Sequence, residues 1–364
     1  MIYQTVNLQF DKRQVPVYIG QGIFNDSNLL ASHIHGPRVM IVTQQVIADL
    51  YLEKLRQALP QQVTVVLLPE GEQYKELSAW QKILDNLIQL QHDRTTTLIA
   101  LGGGVIGDMT GFAAACFLRG VNYLQIPTTL IAQVDAAIGG KTAINHALGK
   151  NLIGVVYQPQ CVIADMDLLA SLPDREYRAG FAEVVKHGVA FDQDFFYWLE
   201  ENAEDLISKS PAALLYAIYM SVKIKGQIVT QDEQDNGIRN LLNFGHTLGH
   251  ALETAGNYQQ LLHGEAVAIG MVLAAKLSAQ LNGLSVIAVT RLINLLKNLG
   301  LPVQIDLPPL AELLIILQRD KKIRAGKLHF ILLATIGHAL KTAQVSIADL
   351  ENLWQEDINA VLIE

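Results

Sequence analysis

The sequence predicts an α/β protein, with an N-terminal Rossmann-like parallel-sheet domain followed by an all-helical C-terminal domain. Three observations carry this. Short β-branched runs alternate with helical patterns through the first half. A glycine-rich turn joins one of those runs to an apolar helix. After Leu172-Pro173 the pattern becomes almost wholly helical.

The runs in the first half are Arg38–Thr43, Val63–Leu68, Thr96–Leu101, Tyr123–Ile126 and Cys161–Ala164. Near-continuous apolar strands of this kind suit a parallel sheet buried on both faces. Helical patterns at Val46–Leu59 and Glu76–Leu90 separate the earlier ones. Tyr3–Phe10 and Val15–Ile19 flank the polar turn Asp11-Lys12 and read as a hairpin added to the sheet. From Asp174 to about Gly300 the periodicity is helical, in segments broken at Gly188, Pro211, Gly237, Gly256 and Gly283. One short strand-like run returns at Leu328–Ala334. The expected domains are therefore 1–172 and 173–364.

Composition narrows the function. The chain has 364 residues, with 27 Lys+Arg against 35 Asp+Glu, a net charge of −8. Half of it is hydrophobic and 17% is charged, which supports a large core and excludes disorder as the main state. The acidic balance argues against a nucleic-acid partner, which needs a concentrated basic face. Cys116 and Cys161 lie in apolar stretches and read as small buried hydrophobes. The first ten residues have neither the basic nor the apolar region of a signal peptide. No stretch of about 18 uncharged apolar residues stands out as a membrane span. The expectation is a soluble cytoplasmic protein with no membrane partner.

Three motifs could carry chemistry. Gly102, Gly104 and Gly107 form G-x-G-x-x-G between a strand and a helix, where backbone N–H groups and the helix dipole suit a pyrophosphate. A tight strand-to-helix turn is the alternative. The fingerprint follows a later strand, and no acidic residue stands about 20 positions on, so the expected site is a variant dinucleotide site. The second motif places Lys141 and Lys150 beside glycines, with Asn151 next in line, which suits an anion. A Walker A loop is excluded, because Asp135 occupies the position of its first glycine. The third puts His246 and His250 at i, i+4, with His263 soon after and Glu183 one turn before Lys186. Imidazoles and a carboxylate make a catalytic metal set. Spacing alone nominates His246 and His250 as the pair.

In this order the motifs resemble the 3-dehydroquinate synthase family of the shikimate pathway, within the sugar-phosphate cyclases. The matching strings include Glu70 to Lys75, GGGVIGD at 102–108, RGV at 119–121, PTT at 127–129, GGKTAINH at 139–146 and GKN at 149–151. They continue with LPDRE at 172–176, AEVVKHG at 182–188, NFGHTLGHALE at 243–253, HGEAVAIGM at 263–271 and RDKK at 319–322. Two departures stand out: Asp135-Ala136-Ala137 where the family has Asp-Ser-Ser, and Ser171-Leu172-Pro173 where it has Thr-Leu-Pro.

The resemblance implies NAD and one divalent ion, zinc or cobalt, as cofactors. It places the metal on Glu183, His246 and His263, which moves His250 to the substrate side. It places NAD on Glu70, Gly71, Glu72, Gln73, Tyr74 and Lys75, on Gly103, Gly104, Val105, Ile106, Gly107 and Asp108, and on Thr128, Thr129, Asp135, Lys141 and Lys150. Substrate phosphate falls to Lys141, Asn151, Lys186, Asn243 and His250, with Arg119 reaching in from a second subunit of a homodimer. Substrate carboxylate falls to Lys225 and Arg239, and one of Lys321 and Lys322 closes over the substrate. The implied substrate is a phosphorylated heptulosonate, 3-deoxy-D-arabino-heptulosonate 7-phosphate. The implied reaction is transient oxidation, β-elimination of phosphate, re-reduction and aldol closure to 3-dehydroquinate. Two alternatives share part of the pattern: another cyclase, whose substrate lacks the carboxylate, and a metal- and NAD-dependent polyol dehydrogenase.

Overall fold

The computed structural model describes residues 3–11, 13–256, 260–318, 323–324 and 327–361. It divides into two compact units. The first is Met1–Pro173 with Lys225–Gln234, and the second is Asp174–Ile224 with Asp235–Glu364. The sequence suggested one cut at 172/173; the segment 225–234 instead groups with the first unit.

The first unit is built on a seven-stranded sheet in the order β1-β2-β9-β6-β5-β3-β4. Its strands are β1 (Tyr3–Gln9), β2 (Gln14–Gly20), β3 (Arg38–Gln44), β4 (Gln62–Leu68), β5 (Thr97–Gly102), β6 (Asn122–Pro127) and β9 (Val162–Asp165). Only β1 and β2 pair antiparallel, as the Asp11 turn dictates; every other pairing is parallel. Strand β5 is buried at all six positions, as a central parallel strand requires. On one side of the sheet, α4 (Leu77–Gln89) and α5 (Gly104–Cys116) bury Ile83, Leu87, Met109 and Ala113 with Met40, Val42 and Leu98. On the other, α1 (Ser27–Ala31), α2 (Gln45–Ile47) and α3 (Glu53–Gln57) lie with Ile41, Ile99 and Leu124. A widened turn at Ala48–Leu52 links α2 to α3. The parallel strands point the same way, so the segments after β4, β5 and β6 emerge at one edge. That edge is where ligands bind in open α/β sheets.

An antiparallel hairpin, β7 (Lys141–His146) and β8 (Gly149–Val156), completes this unit. The sequence reading placed an anion site here, on Lys141, Lys150 and Asn151, without strands.

The second unit is mainly helical. Its helices are α6 (Asp174–Phe191), α7 (Gln193–Glu201), α8 (Ala203–Ile207), α9 (Pro211–Gln231), α10 (His246–Ala255), α11 (His263–Asn282), α12 (Val286–Asn298), α13 (Leu310–Gln318) and α14 (Ile347–Val361). The last turns of α9, from Lys225, belong to the first unit. Gly188 does not end a helix as expected, because α6 runs through it. A Cβ there would sit 3.1 Å from the Phe196 backbone, so this glycine serves the packing of α7 on α6. Nor is the unit all-helical. It carries the ribbon β10 (Ile323–Arg324) and β11 (Lys327–Leu328), and the hairpin β12 (Phe330–Thr335) and β13 (His338–Thr342). The apolar run Phe330–Leu333 is buried, and β12 packs on α11.

Helices α9 and α11 are long and apolar enough to cross a membrane by length and composition. Their most apolar windows are 61% and 72% buried inside the protein, which is how core helices of a globular chain look. The run Arg319 to Lys322, with the expected closing lysines Lys321 and Lys322, lies outside the described residues.

Candidate functional site

In the first unit, residues from three strand ends meet. The chain leaving β4 turns at Gly71, whose φ of 109° is open to glycine, and passes through Glu72, Gln73 and Tyr74 to Lys75. Lys75 is 4% exposed. Its Nζ lies 2.5 Å from Asp108 Oδ2 and donates to Asn151 Oδ1, also at 2.5 Å. Asp108 stands on α5, immediately after the glycine turn. Burial pushes its carboxyl up from the usual range, and the Lys75 ammonium pulls it back. A buried ammonium of this kind is tolerated because it is paired and hydrogen-bonded.

The glycine turn faces the end of β6. A Cβ on Gly103 would meet Thr129 Cγ2 at 3.2 Å, and Thr128 N–H donates to Gly102 O at 3.0 Å. Gly107 packs α5 onto the sheet, since a Cβ there would sit 2.7 Å from Gln125 Oε1. Ile106 is fully buried in the core, so only its backbone is available to a ligand. Val105 is half-buried, while Glu70 and Tyr74 are exposed. Lys225 Nζ contacts both the Asp135 carbonyl at 2.7 Å and Asp135 Oδ1 at 2.8 Å. Lys141 opens β7, and Lys150 precedes Asn151 on β8. Asn151 has a φ of 52°. Arg119 is exposed in a strained turn, with Leu118 at φ 48° and Arg119 at φ 69°.

The sequence reading missed Asn145, which ties this cluster together. Its N–H donates to Lys75 O at 2.7 Å, and its Nδ2 donates to Glu72 Oε1 at 2.8 Å. Its Oδ1 accepts from Asn151 N–H at 2.9 Å. One amide therefore spans the β4 turn and the β8 strand. The only signal was its place inside the GGKTAINH string.

In the second unit, three helices bring imidazoles to a carboxylate. Helix α6 places Glu183 and Lys186 one turn apart, both 1% exposed and in direct contact. His246 is the first residue of α10, and His263 the first of α11. Glycines allow the close approach. A Cβ on Gly264 would lie 1.9 Å from Ala179 O on α6, and one on Gly270 would lie 2.1 Å from Gly245 O. Glu183 Oε1 is 3.3 Å from His246 Nε2 and 3.6 Å from His263 Nε2. His250, one turn along α10, joins them: the donor atoms of His246, His250 and His263 lie within 4.8 Å of one another. The spacing reading and the resemblance reading thus name neighbours in one cluster. Just before α10, a turn at Ile238–Asn243 carries Arg239, 3% exposed, and Asn243, whose Nδ2 donates to Asn240 O at 3.0 Å.

The donor chemistry fits a divalent ion. His246 Nδ1 lies 3.2 Å from Phe244 O, an acceptor, so Nδ1 carries the proton and the Nε2 lone pair faces Glu183. Burial pulls His246 below its ordinary value, against the opposing pull of Glu183. His263 is also drawn down by burial, but the Glu183 and Glu253 carboxylates beside it prevail and push it up to about 10. Around His263 the two carboxylates favour positive charge, which a divalent cation can supply in place of a proton. Two imidazole nitrogens and one carboxylate oxygen leave an open position for substrate.

A family model for the 3-dehydroquinate synthase N-terminal region matches residues 65–179, and one for its C-terminal region matches 180–323. The chain belongs to the 3-dehydroquinate synthase family. It is an enzyme of that kind, a carbon–oxygen lyase. A 3-dehydroquinate synthase from Nitrosococcus oceani is 49% identical over 340 residues, covering 93% of this chain and 95% of the relative. Among solved structures, 2-epi-5-epi-valiolone synthase from Streptomyces hygroscopicus, with NAD+ and Zn2+ bound, superposes with a TM-score of 0.88 at 26% identity. That match covers 99% of both chains. A 2-deoxy-scyllo-inosose synthase, complexed with carbaglucose-6-phosphate, NAD+ and Co2+, gives a TM-score of 0.87 at 26% identity. It covers 97% of this chain and 100% of that one.

Proposed function

We propose that this enzyme converts 3-deoxy-D-arabino-heptulosonate 7-phosphate to 3-dehydroquinate and phosphate, with NAD and one divalent metal ion as cofactors. The observation that carries the reading is the buried Glu183 carboxylate ringed by His246, His263 and Lys186, in a chain of this family. When bound, NAD supplies a hydride acceptor restored within each turnover, and the divalent ion supplies a Lewis acid.

The chain's own residues bind and orient. In this reading 1–172 is the NAD domain and 173–364 the metal and substrate domain. The segments Glu70–Lys75 and Gly103–Asp108, with Thr128, Thr129, Asp135, Lys141 and Lys150, hold NAD. Glu183, His246 and His263 hold the metal. Lys141, Asn151, Lys186, Asn243 and His250 grip the substrate phosphate, and Arg119 reaches the site of a second copy in a homodimer. Lys225 and Arg239 grip the carboxylate. The departing phosphate takes the proton released in the elimination, so these cations fix geometry and no strong protein base is required. The enzyme works in the cytoplasm as a soluble protein.

The test is phosphate release from the heptulosonate, with NAD and metal omitted in turn. Release should need both and should return with zinc or cobalt after chelation. Full activity without either cofactor would overturn the reading. Another cyclase reaction is the second possibility, because the solved neighbours are other synthases. Arg239→Ala separates the two. Loss of heptulosonate turnover supports the carboxylate grip, and intact turnover favours a substrate without that group.

A further inference from the structure

One buried carboxylate beside the candidate metal centre has no role in the reading above. Glu253 lies on α10, 4% exposed, and its Oε2 is 3.1 Å from His263 Nδ1. His246, His250 and Glu253 recur at i, i+4 and i+7, so they fall on one face of the same helix. That face presents the first imidazole and also a carboxylate for the second imidazole, which α11 brings from elsewhere in the chain.

We infer that Glu253 is a positioning residue for the metal centre: its carboxylate holds His263 as the Nδ1–H tautomer and aims Nε2 at the point shared by Glu183 and His246. An ionised carboxylate only accepts hydrogen bonds, so the ring nitrogen facing it must donate. The other nitrogen, 3.6 Å from Glu183 Oε1, is then the one that can offer a lone pair to a cation taking the place of its proton. The carboxylate also raises the basicity of that lone pair. His246 is fixed by a different device with the same result, its Nδ1 facing the Phe244 carbonyl. Both candidate ligands therefore turn Nε2 inward, one steered by a neutral backbone oxygen and one by a negative side chain. A tie that served only to join α10 to α11 would not need to choose the ring nitrogen pointing away from the cluster. The signal was present in the sequence as H-x3-H-x2-E.

The inference rests on the metal-centre reading, and the experiment separates the two. The metal-free full-length protein is titrated with Co2+, followed by its visible absorption, and the affinity for Zn2+ is obtained by competition. Wild type, Glu253→Gln, Glu253→Ala and His246→Ala are compared, with unfolding of each metal-free protein measured alongside. Loss of such an outer carboxylate is expected to weaken metal binding by about 10- to 100-fold. The Ala variant should lie at the weak end. Glu253→Gln keeps the shape and a neutral acceptor, so it should fold like wild type and lie between. Wild-type affinity in both Glu253 variants, with binding lost in His246→Ala, would overturn the role of Glu253 alone. Wild-type affinity in His246→Ala as well would overturn the metal centre itself. If the weakening only tracks lost stability of the metal-free protein, Glu253 is a structural tie and the inference falls.

Discussion

The polar clusters of the two units solve the same problem, holding charged groups away from water, in opposite ways. In the first unit each buried cation has a protein anion: Lys75 meets Asp108, and Lys225 meets Asp135. Lys75 sits on the turn after β4 while Asp108 and Lys225 stand on helices, and Asn145 and Asn151 link that turn to the β7–β8 hairpin through amide hydrogen bonds. In the second unit two carboxylates, Glu183 and Glu253, crowd one imidazole, with Lys186 alongside. Here the groups sit on helix faces, and glycine backbones set the spacing. The first cluster is neutralised pair by pair. The second gathers negative charge and lone pairs around one point, and it suits an added cation.

The most direct way to break this contrast is Asp108→Ala. It leaves the Lys75 ammonium buried without its carboxylate, and removal of one partner from a buried pair costs about 3–5 kcal/mol. Urea unfolding should show the loss. An unchanged midpoint would mean that the first cluster is not held by charge pairing. Next is Gly264→Ala. Its Cβ would collide with the Ala179 carbonyl, and overpacking of this kind costs about 1–3 kcal/mol. Metal affinity should fall with stability, because α6 and α11 carry Glu183 and His263. Affinity that holds while stability falls would uncouple the helix spacing from the site.

Asn145→Asp is a finer probe. It swaps the donor facing Glu72 for a second carboxylate and leaves the acceptor facing Asn151 in place. The expected loss is about 1–3 kcal/mol, the cost of a mispaired buried polar group. It should appear chiefly as a raised KM for NAD. Glu72→Gln in the same chain should restore much of it, and failure of that rescue would remove Asn145 from its tying role. The smallest effect belongs to Arg175→Ala. Arg175 Nε and Nη2 hold Glu265 at 2.7 Å each, and Glu265 Oε2 accepts from Leu262 N–H at the start of α11. Burial raises the Glu265 carboxyl, but the bonds from Arg175 and Leu262 dominate and hold it below its usual range. Its contribution is therefore present above pH about 4.5 and is lost as pH falls through the depressed folded value. The variant should lose under about 1 kcal/mol near neutral pH, and the difference from wild type should shrink in acid.

Much of the first unit was readable in advance. Its strands are continuous apolar runs, and β3, β4, β5, β6 and β9 lie within a residue or so of the runs that suggested them. The β7–β8 hairpin was not readable. Most of β8 is exposed, so it shows no buried run, and Gly149 and Gly154 look like loop residues. A glycine in a helix weakens the pattern, so the sequence predicts a break at Gly188 and does not show that Phe196 needs the space. The histidine cluster was visible as a group, but spacing within one helix favours the pair on that helix. Glu183 and His263 enter through contacts among three helices, which local periodicity does not encode. Asn145 and Glu253 escaped for a related reason: each acts on another candidate residue, and neither residue type is distinctive alone.

The origin of Glu183, His246 and His263 on three helices has a consequence for how the second unit folds. No short peptide of this chain contains the whole set, so the cluster exists only after α6, α10 and α11 have packed. A cation that occupies it binds the native state and not the unfolded chain. Its binding free energy is then also folding free energy, and each tenfold rise in ion concentration above the dissociation constant adds about 1.4 kcal/mol to native stability. In the proposed reading, the supply of metal ion would set the persistence of this unit as well as catalysis.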